Sequence, residues 1–504
     1  MKPEWLLQFY GALTIFSSFT HYADCSHFRG GIFMWKPTNT GTGSQVSITF
    51  RMAWRRSYSS ATYCDQSTIN QGGLIAYMGS ISCFGCQHYI WSSTDVTMTN
   101  TSFVCTDYSI QEDWTQGERT FLYNFGNSIT YFGFTGNAWI SLVYGGGNWE
   151  MRTKVNLSVR ADTGLINTSP TSAMPAIVRL QHGCDHNITI PVFDKDNDVI
   201  KCRWAKSEYN ECGGVCSTFK HASLNENCEI RYSAIYQIGW YAVAIQIEDF
   251  ASENSTTSLS SIPLQFLVNV FQSSKKCKNR PVFLLPTRQD GACVGVPYPS
   301  TWSEKIIAKA SQNESISEIN TVSPTGFKKS NLSRYDNSGE EWYVNVTWTP
   351  KANQAGEHPF CYTASDTDGL VSERICIELL VGVAPPEIVS LSPTHDVYPT
   401  LNSFTIYYDT MFVRPTRTTY FYVYTRNNTL VSKIDVSQDW RVTYPAASDS
   451  SFPWKLEIPV NFRLQEKEFY YIKMDPGVAK GTSGCGAESA ALWNTRDWTF
   501  RVRE

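Results

Sequence analysis

The sequence predicts an all-β protein, and three observations support this fold class. Apolar and polar residues alternate in many stretches, such as "VSITFRMAW" (46–54) and "KLEIPVNF" (455–462), and a period of two is the pattern of a half-buried strand. Aromatic residues are frequent, with 27 Tyr, 27 Phe and 16 Trp in 504 residues, which favours strands. Sustained apolar residues at helical spacing are nearly absent. At this length we expect several domains.

The amino terminus predicts a signal peptide over residues 1–25. Lys2 gives a basic start, an apolar stretch runs from Trp5 to Phe19, and small residues around Ala23 suit a cleavage site. A buried first strand or helix is the alternative. No later stretch reaches the ~18 apolar residues that span a bilayer. We therefore expect a secreted, extracellular protein, or the ectodomain of a longer one, with no transmembrane segment in this chain.

The cysteines fit export. The chain has 15, and loss of Cys25 with the signal peptide would leave an even number, which suits disulfides. An exported protein keeps its thiols oxidised, so "CFGCQH" (83–88) predicts structural disulfides rather than a zinc, redox or haem site. We expect Cys83 and Cys86 to pair with Cys64 and Cys105. The pairing of Cys485 stays open, and disulfides are predicted at Cys64, Cys83, Cys86, Cys105, Cys184, Cys202, Cys212, Cys216, Cys228, Cys277, Cys293, Cys361 and Cys376.

Asparagines in N-x-Ser/Thr triplets predict a glycoprotein. Each triplet alone is weak evidence, but their spread over the whole of an exported chain is stronger evidence. The predicted glycosylation sites are Asn100, Asn156, Asn167, Asn187, Asn254, Asn313, Asn331, Asn345 and Asn427.

Proline-rich breaks at 167–177, 273–286 and 381–393 divide the chain. They predict four β domains: segment one (26–166), segment two (178–272), segment three (277–382) and segment four (385–504). We expect each segment to fold as a separate unit, with joints near residues 170, 276 and 384 that few contacts cross.

Segments two and three contain an internal repeat. "GWYAVAIQIEDF" begins at Gly239 and "GEHPFCYTASDTDG" at Gly356, an aspartate follows ten residues later in each, and a closing strand comes next. This is the last hairpin of an Ig-like sandwich. The pattern resembles polycystic-kidney-disease-type and cadherin-like β-sandwich modules, and this resemblance implies tandem disulfide-stapled Ig-like domains.

The outer segments resemble two other kinds of domain. "PPEIVSLSP", "YYIKMDPGV" and the closing "DWTF" of segment four are similar to the bacterial S-layer-type (SbsA-type) Ig-like domain, a spacer without catalytic residues. The loop "GTSGCGAESAALW" departs from that pattern. "HFRGGIFMWKP" and "ITFRMAWRRS" of segment one resemble the amino-terminal domain of secreted multidomain proteins of animals, which implies an architecture and no activity.

The acidic run "DKDNDV" is the candidate metal site. Asp194, Asp196 and Asp198 stand at alternate positions and could place three oxygens around one calcium ion. The glycine and closing glutamate of an EF-hand are missing, so that site is excluded. Cadherin-like modules use similar acidic loops. The alternative is a solvated turn, in which Asp and Asn hydrogen-bond the local backbone.

The functional hypotheses follow from the motifs that the sequence lacks and from the domains that it predicts. A formal net charge of −4 gives no footprint for nucleic acid, and the local motifs of nucleophilic catalysis are absent. The leading hypothesis is a non-enzymatic adhesion, matrix or scaffold glycoprotein whose amino-terminal domain, carried on a β-sandwich rod, binds an extracellular protein or glycan. The alternative is a secreted hydrolase with its site in segment one, for which carbohydrates are a candidate class of substrate. Paired acids in a pocket would favour the enzyme, and an exposed aromatic patch would favour the binding module.

Overall fold

The computed structural model describes residues 27–504 except 42, 77, 90–91, 337–338 and 447–451. For residues 87–89 and 92–94 only the backbone is described. The predicted signal peptide, with Cys25, lies outside the described residues. Strands dominate every segment, so the predicted all-β fold class is confirmed. Among the described residues, no helix is long and apolar enough to cross a membrane.

Segment one is built on a strongly bent sheet around an aromatic core. Its short helix α1 (Gln66–Gln71) starts where the Asp65 carboxylate accepts from the Thr68 backbone N–H, a standard N-cap. Phe28, Trp54 and Trp149 pack together inside. The described strands are β1 (Phe28–Pro37), β2 (Gln45–Arg55), β3 (Leu74–Ile75), β4 (Ser80–Tyr89), β5 (Ser92–Asn100), β6 (Phe103–Ser109), β7 (Trp114–Asn124), β8 (Ile129–Asn137) and β9 (Asn148–Asn156).

Segment two shares a sheet with segment one. Its described strands are β10 (Thr171–Ser172), β11 (Ile177–Gln181), β12 (Asp185–Thr189), β13 (Val192–Phe193), β14 (Val199–Trp204), β15 (Ser223–Leu224), β16 (Glu229–Ser233), β17 (Gly239–Phe250) and β18 (Ser260–Phe271). Strand β18 pairs with β1 and β9 of segment one and with β11 and β17 of its own segment, which makes one 13-stranded sheet.

The glycine pair of "HFRGG" explains how β1 and β18 come together. Gly30 lies opposite Phe266 and has a φ of +149°. A Cβ at Gly30 would lie 2.4 Å from the carbonyl oxygen of Gln265, far inside van der Waals contact. Only glycine allows this close approach of two backbones. The motif "HFRGG", on which the resemblance of segment one rests, is therefore the place where segment one joins the sheet of segment two.

The joint near residue 170 is buried rather than open. Asn167, Ser169 and Ala173 are buried, and the backbone N–H of Trp35 donates to Ser169 Oγ at 2.9 Å. A single hydrophobic core runs through both segments. The expectation that few contacts cross this joint is wrong, because the shared sheet buries the connection. The domain limits themselves stay a prediction.

Segment three is a two-sheet sandwich around Phe327, Trp348 and Phe360. Its described strands are β19 (Val282–Phe283), β20 (Cys293–Val296), β21 (Trp302–Lys309), β22 (Ile316–Val322), β23 (Lys328–Lys329), β24 (Ser333–Arg334), β25 (Glu341–Trp348), β26 (Gly356–Asp366) and β27 (Ile375–Val381). One sheet has the order β19-β21-β25-β23, with β24 also on β25, and the other has the order β20-β27-β26-β22.

The internal repeat is confirmed by the pairing of these strands. In each segment the final strand pairs in parallel with a strand near the start of the segment, β18 with β11 and β27 with β20. The aspartate at the end of each preceding strand accepts from the backbone of the following turn. Asp249 accepts from the N–H of Ser260 at 2.6 Å, and Asp366 from that of Leu370 at 2.9 Å.

Segment four is a second sandwich, with its own core around Phe404, Phe421 and Trp498. Trp498 Nε1 donates to the carbonyl of Pro393 at 2.7 Å, which ties "DWTF" to the proline-led entry. The S-layer likeness stays a prediction. The described strands are β28 (Ile388–Ser392), β29 (Ser403–Tyr408), β30 (Phe412–Val413), β31 (Tyr420–Thr425), β32 (Leu430–Asp435), β33 (Trp454–Pro459), β34 (Phe469–Met474), β35 (Lys480–Gly481) and β36 (Thr499–Arg501).

Disulfides connect segments as well as strands. The pairs are Cys64–Cys105, Cys83–Cys86, Cys184–Cys277, Cys202–Cys228, Cys212–Cys216, Cys293–Cys485 and Cys361–Cys376. The expected pairing of Cys83 and Cys86 with Cys64 and Cys105 is wrong. Gly85, at a φ of +68°, turns the chain so that Cys83 and Cys86 meet each other, with their Cα atoms 5.7 Å apart, within disulfide reach.

Segment three is also fixed to both of its neighbours in space. Asp107 of segment one forms a buried ion pair with Lys329, and the Gln116 side chain donates to the carbonyl of Thr321 at 2.7 Å. On the other side, Glu488 of segment four pairs with Arg288 of segment three, next to the Cys293–Cys485 bond. Segments one, two and three are thus connected by a shared sheet, a disulfide and buried polar contacts, and segment four is connected to segment three.

Candidate functional site

A large cavity lies where segments one, two and three meet. We call it the junction cavity; its volume is about 700 Å³. Segment one contributes Glu112 and Trp114, segment two contributes residues 175–193, and segment three contributes residues 371–376. The site was expected inside segment one, but this cavity exists only because three segments pack together.

Most charged side chains of the junction cavity are already paired. Arg179 forms an ion pair with Glu112 across the boundary between segments one and two. Arg280 pairs with Glu373 at 2.5 Å. Asp290 accepts from the backbone N–H of Cys376 at 2.7 Å. These interactions occupy the charged groups concerned, so little unpaired charge remains among them in the cavity wall.

Arg374 is different from these groups. Its guanidinium donates to the carbonyl of Thr189 and contacts the sulfur of Met174 at 3.3 Å, while its Nε is buried without a hydrogen-bond partner. No carboxylate of the described residues forms an ion pair with it. Burial lowers the pKa of Arg374 to about 10, with Asp290 and Glu373 only partly opposing the shift. The cavity wall therefore holds a charged group with unused donors.

A second cleft, of about 390 Å³, lies between segment one and segment three. It is lined by Arg51, Glu118, Glu357, His358 and Glu378, among others. Glu357 and Glu378 stand on neighbouring strands β26 and β27, and oxygens of their carboxyl groups lie within 4.8 Å of each other. Glycosidases hold their two carboxyl groups roughly 5 Å or more apart around the scissile bond. This pair is closer together, so its geometry does not favour the hydrolase hypothesis.

We expect the Glu357–Glu378 pair to make stability depend on pH. Burial, followed by the charge of Glu357, raises the pKa of Glu378 from 4.5 to about 7. A carboxyl group whose pKa rises on folding stabilises the folded state fully below its unfolded pKa, and this stabilisation is lost as pH rises through about 7. Glu378→Gln should match the wild type at pH 5 and be more stable at pH 8 by about 1–2 kcal/mol, a value reduced for partial solvent exposure.

Urea unfolding at both pH values measures this difference. Glu253→Gln, on an exposed turn of segment two, is the matched control and should change nothing. Wild-type and Glu378→Gln stability curves that run parallel from pH 5 to 8 would contradict the prediction.

The predicted calcium ligands lie close to a buried carboxylate from another strand. Oxygens of Asp194 and Asp198 come within 4.8 Å of each other and of Asp249, which ends β17. Asp196 instead accepts from the backbone N–H of Thr168 at 2.6 Å. Asp249 was missed as part of this cluster, although its place in the internal repeat marked it as a turn residue.

Arg160 of segment one already supplies a positive charge to the cluster. Its guanidinium binds both oxygens of Asp198 and also pairs with Asp162. Asp194 Oδ1 accepts two backbone N–H groups, and Oδ2 is buried without a partner. Burial raises the pKa of Asp194 to about 7. The donors are all oxygen, as calcium requires, and the orphaned Oδ2 is the atom that fits an ion.

Calcium binding at this cluster stays a prediction, and we expect a weak site of the extracellular kind. Calcium at ten times its dissociation constant would then stabilise the fold by about 1.4 kcal/mol. Thermal melts with millimolar calcium against chelator measure it. Asp194→Asn should abolish the shift, and Asp185→Asn, on exposed β12, should keep it. An unchanged wild-type melt would mean that Arg160 alone screens these acids.

The predicted glycosylation sites differ in exposure. Asn100, Asn187, Asn254, Asn313, Asn331, Asn345 and Asn427 are exposed, and Asn156 is partly exposed. Asn167 is an exception and is a correction to the sequence analysis. Its side-chain nitrogen donates to Asp249 at 2.6 Å and to the carbonyl of Thr168, and the side chain is buried. A glycan on that nitrogen is incompatible with the folded joint.

Comparison with known proteins adds a family likeness. Residues 29–158 match the family described as "Integrin beta-like protein A-E, N-terminal". That range lies within segment one and spans β1 to β9. The chain is also 23% identical over 401 residues to "Integrin beta-like protein C" of Dictyostelium discoideum, which covers 71% of this chain and 19% of that protein. The chain thus spans about a fifth of that relative's length. An animal origin is not confirmed.

Solved structures give only distant likenesses. The N-terminal Ig1-2 module of the Drosophila receptor protein tyrosine phosphatase DLAR is 14% identical, with a TM-score of 0.20, and covers 45% of this chain and all (100%) of that chain. The N-terminal eight Ig domains of the Down syndrome cell adhesion molecule are 10% identical, with a TM-score of 0.17, and cover 84% of this chain and 50% of that chain. Scores this low carry no argument about function.

Proposed function

We propose that this protein is a non-enzymatic, secreted or cell-surface adhesion glycoprotein that binds an extracellular partner through segment one. The match of residues 29–158 to the integrin beta-like family is the observation that carries this proposal. The oxidised cysteines and the exposed sequons agree with an extracellular location. A matrix or scaffold role is a further part of the proposal.

The way segment one is held supports a binding role. The shared sheet fixes it to segment two, and Asp107 with Lys329 fixes it to segment three. A surface held in one orientation loses less conformational entropy when a partner binds.

The uncovered face of β8 is the surface we expect the partner to contact. Ile129 and Tyr131 are 53% and 41% exposed there. Phe84 of β4 lies beside Tyr131 and stacks on Arg152, whose guanidinium is 4.4 Å from the ring centroid. An exposed aromatic patch with an arginine is typical of protein-binding surfaces.

Adhesion of cells to immobilised protein tests the proposal. The full-length chain should support attachment of cells. The double variant Ile129→Asp, Tyr131→Ser should reduce this attachment at least tenfold. Leu430→Asp with Tyr398→Ser, a matched exposed pair on segment four, should leave attachment unchanged. Equal attachment by both double variants would place the contact outside β8, and no attachment by the wild type would contradict an adhesion role.

A further inference from the structure

We propose that the junction cavity binds an acidic saccharide, with the guanidinium of Arg374 on the carboxylate of the sugar. This site is separate from the β8 surface and goes beyond the proposed adhesive contact. Its volume of about 700 Å³ lies within the range of pockets that enclose small ligands. The proposal rests on the unused donors of Arg374 and on the chemistry of the surrounding wall.

A comparison with three other arginines indicates why Arg374 points to an anionic ligand. Arg160, Arg179 and Arg417 are partly or fully buried, and each binds a carboxylate of this chain. Arg374 instead has one carbonyl and one thioether, a weak acceptor, for its five N–H groups. A buried charge is normally paired. A carboxylate would use the planar fork of donors that the chain leaves open.

The remaining lining indicates a ligand with one charge and many hydroxyl groups. Arg179 and Arg280 already have acidic partners, so they do not call for further negative charge. Neutral polar side chains line part of the space, namely Asn187, Asn227, Asn320, Thr363 and Ser365, and apolar side chains such as Ile188 and Val192 line the rest.

Asn320 and Trp114 add two specific features of saccharide recognition. Asn320 Oδ1 is buried without a hydrogen-bond partner and can accept from a hydroxyl. Trp114, although only 5% exposed, is among the lining residues, and an aromatic ring in such a wall suits the C–H face of a sugar. A polyanion such as an acidic peptide would bring charges that this wall does not neutralise. We therefore favour a uronic or sialic type of sugar over a peptide.

The binding test uses two acidic probes with matched neutral ones. Galacturonate is compared with its methyl ester, and sialyllactose with lactose, by calorimetric titration or ligand-observed NMR on the full chain. All measurements use an Asn187→Gln background, or Asn187→Trp in its place, because a glycan on that lining residue could itself fill the cavity. We expect at least one acidic probe to bind tenfold or more tightly than its neutral match.

Variants of Arg374 separate this site from adventitious binding. Arg374→Gln should reduce the affinity of the acidic probe to that of the neutral one, and Arg374→Lys should retain part of it because the charge stays and the fork is lost. Arg463→Gln, an exposed arginine of segment four, should change nothing. Asn187→Trp, on the segment-two wall, should block binding without touching Arg374, which keeps the test valid if Arg374→Gln folds poorly.

Three results would overturn the proposal. The first is no preference for either acidic saccharide over its neutral match. The second is equal affinity in the Asn187→Gln background, in Arg374→Gln made in that background, and in Asn187→Trp. The third is Arg374-dependent binding of triglutamate without binding of a saccharide. If one of these results is obtained while the protein still supports cell attachment through β8, only this inference, and not the adhesive function, has failed.

Discussion

Replacing Asp107 with alanine should loosen segment one from segment three and lower the free energy of unfolding by about 3–5 kcal/mol. Asp107 is fully buried. Its carboxylate accepts from the N–H and hydroxyl of Thr321, at 2.5 and 2.9 Å, and from Lys329 Nζ at 2.5 Å. The variant leaves the Lys329 ammonium buried with only the carbonyl of Ile319. An uncompensated buried charge is the reason for the large expected effect.

A double-mutant cycle tests this pair. Lys329→Met in the Asp107→Ala background should restore much of the loss, because both charges are then gone. Urea unfolding gives the free energies, and hydrogen exchange of β22 reports the interface itself. Asp185→Ala is the exposed control. Two single substitutions that each cost under about 0.5 kcal/mol and simply add would show that this contact does not hold the segments together.

Removing the Cys293–Cys485 disulfide should give the second large effect. The bond closes a separation of 192 residues, and in the chain-entropy description a loop of that size stabilises the fold by about 5 kcal/mol. Cys293→Ala with Cys485→Ala should therefore lower stability by about 2–5 kcal/mol. Segment four would then be held by the ion pair of Glu488 with Arg288 and by the hydrogen bond from Arg417 to the side chain of Gln289.

Limited proteolysis reports where this variant opens. Thermolysin should cut the double variant near 381–386 and release segment four, while the wild type resists. Cys212→Ala with Cys216→Ala is the matched control, since its bond spans a separation of only 4 residues, for which the same description gives about 2 kcal/mol or less. Equal cleavage rates in the wild type and in the Cys293, Cys485 variant would contradict the idea that this disulfide holds segment four to segment three.

The candidate site illustrates what sequence patterns can and cannot reach. The alternation that predicts β17 and β26 also aligned Asp249 with Asp366, and both aspartates hold the following turn. The same pattern gave no reason to join Asp249 with Asp194 and Asp198, because β17 and the acidic loop are distant in sequence. Arg374 carried no signal at all. Arg374 is important because no carboxylate of the described residues pairs with it, and only the three-dimensional structure shows which partners a side chain has.

The sequence by itself determined the all-β fold, the repeated hairpin and the oxidised state of the cysteines, since these depend on local alternation, on spacing and on the compartment. Tertiary structure alone decided which cysteines pair, that Gly30 brings β1 onto β18, that Asn167 is buried, and that three segments enclose a cavity around Arg374. The physical reason is that hydrogen-bond register, desolvation and charge pairing depend on which distant residues meet. Local sequence patterns do not show which individual residues, distant in sequence, come into contact.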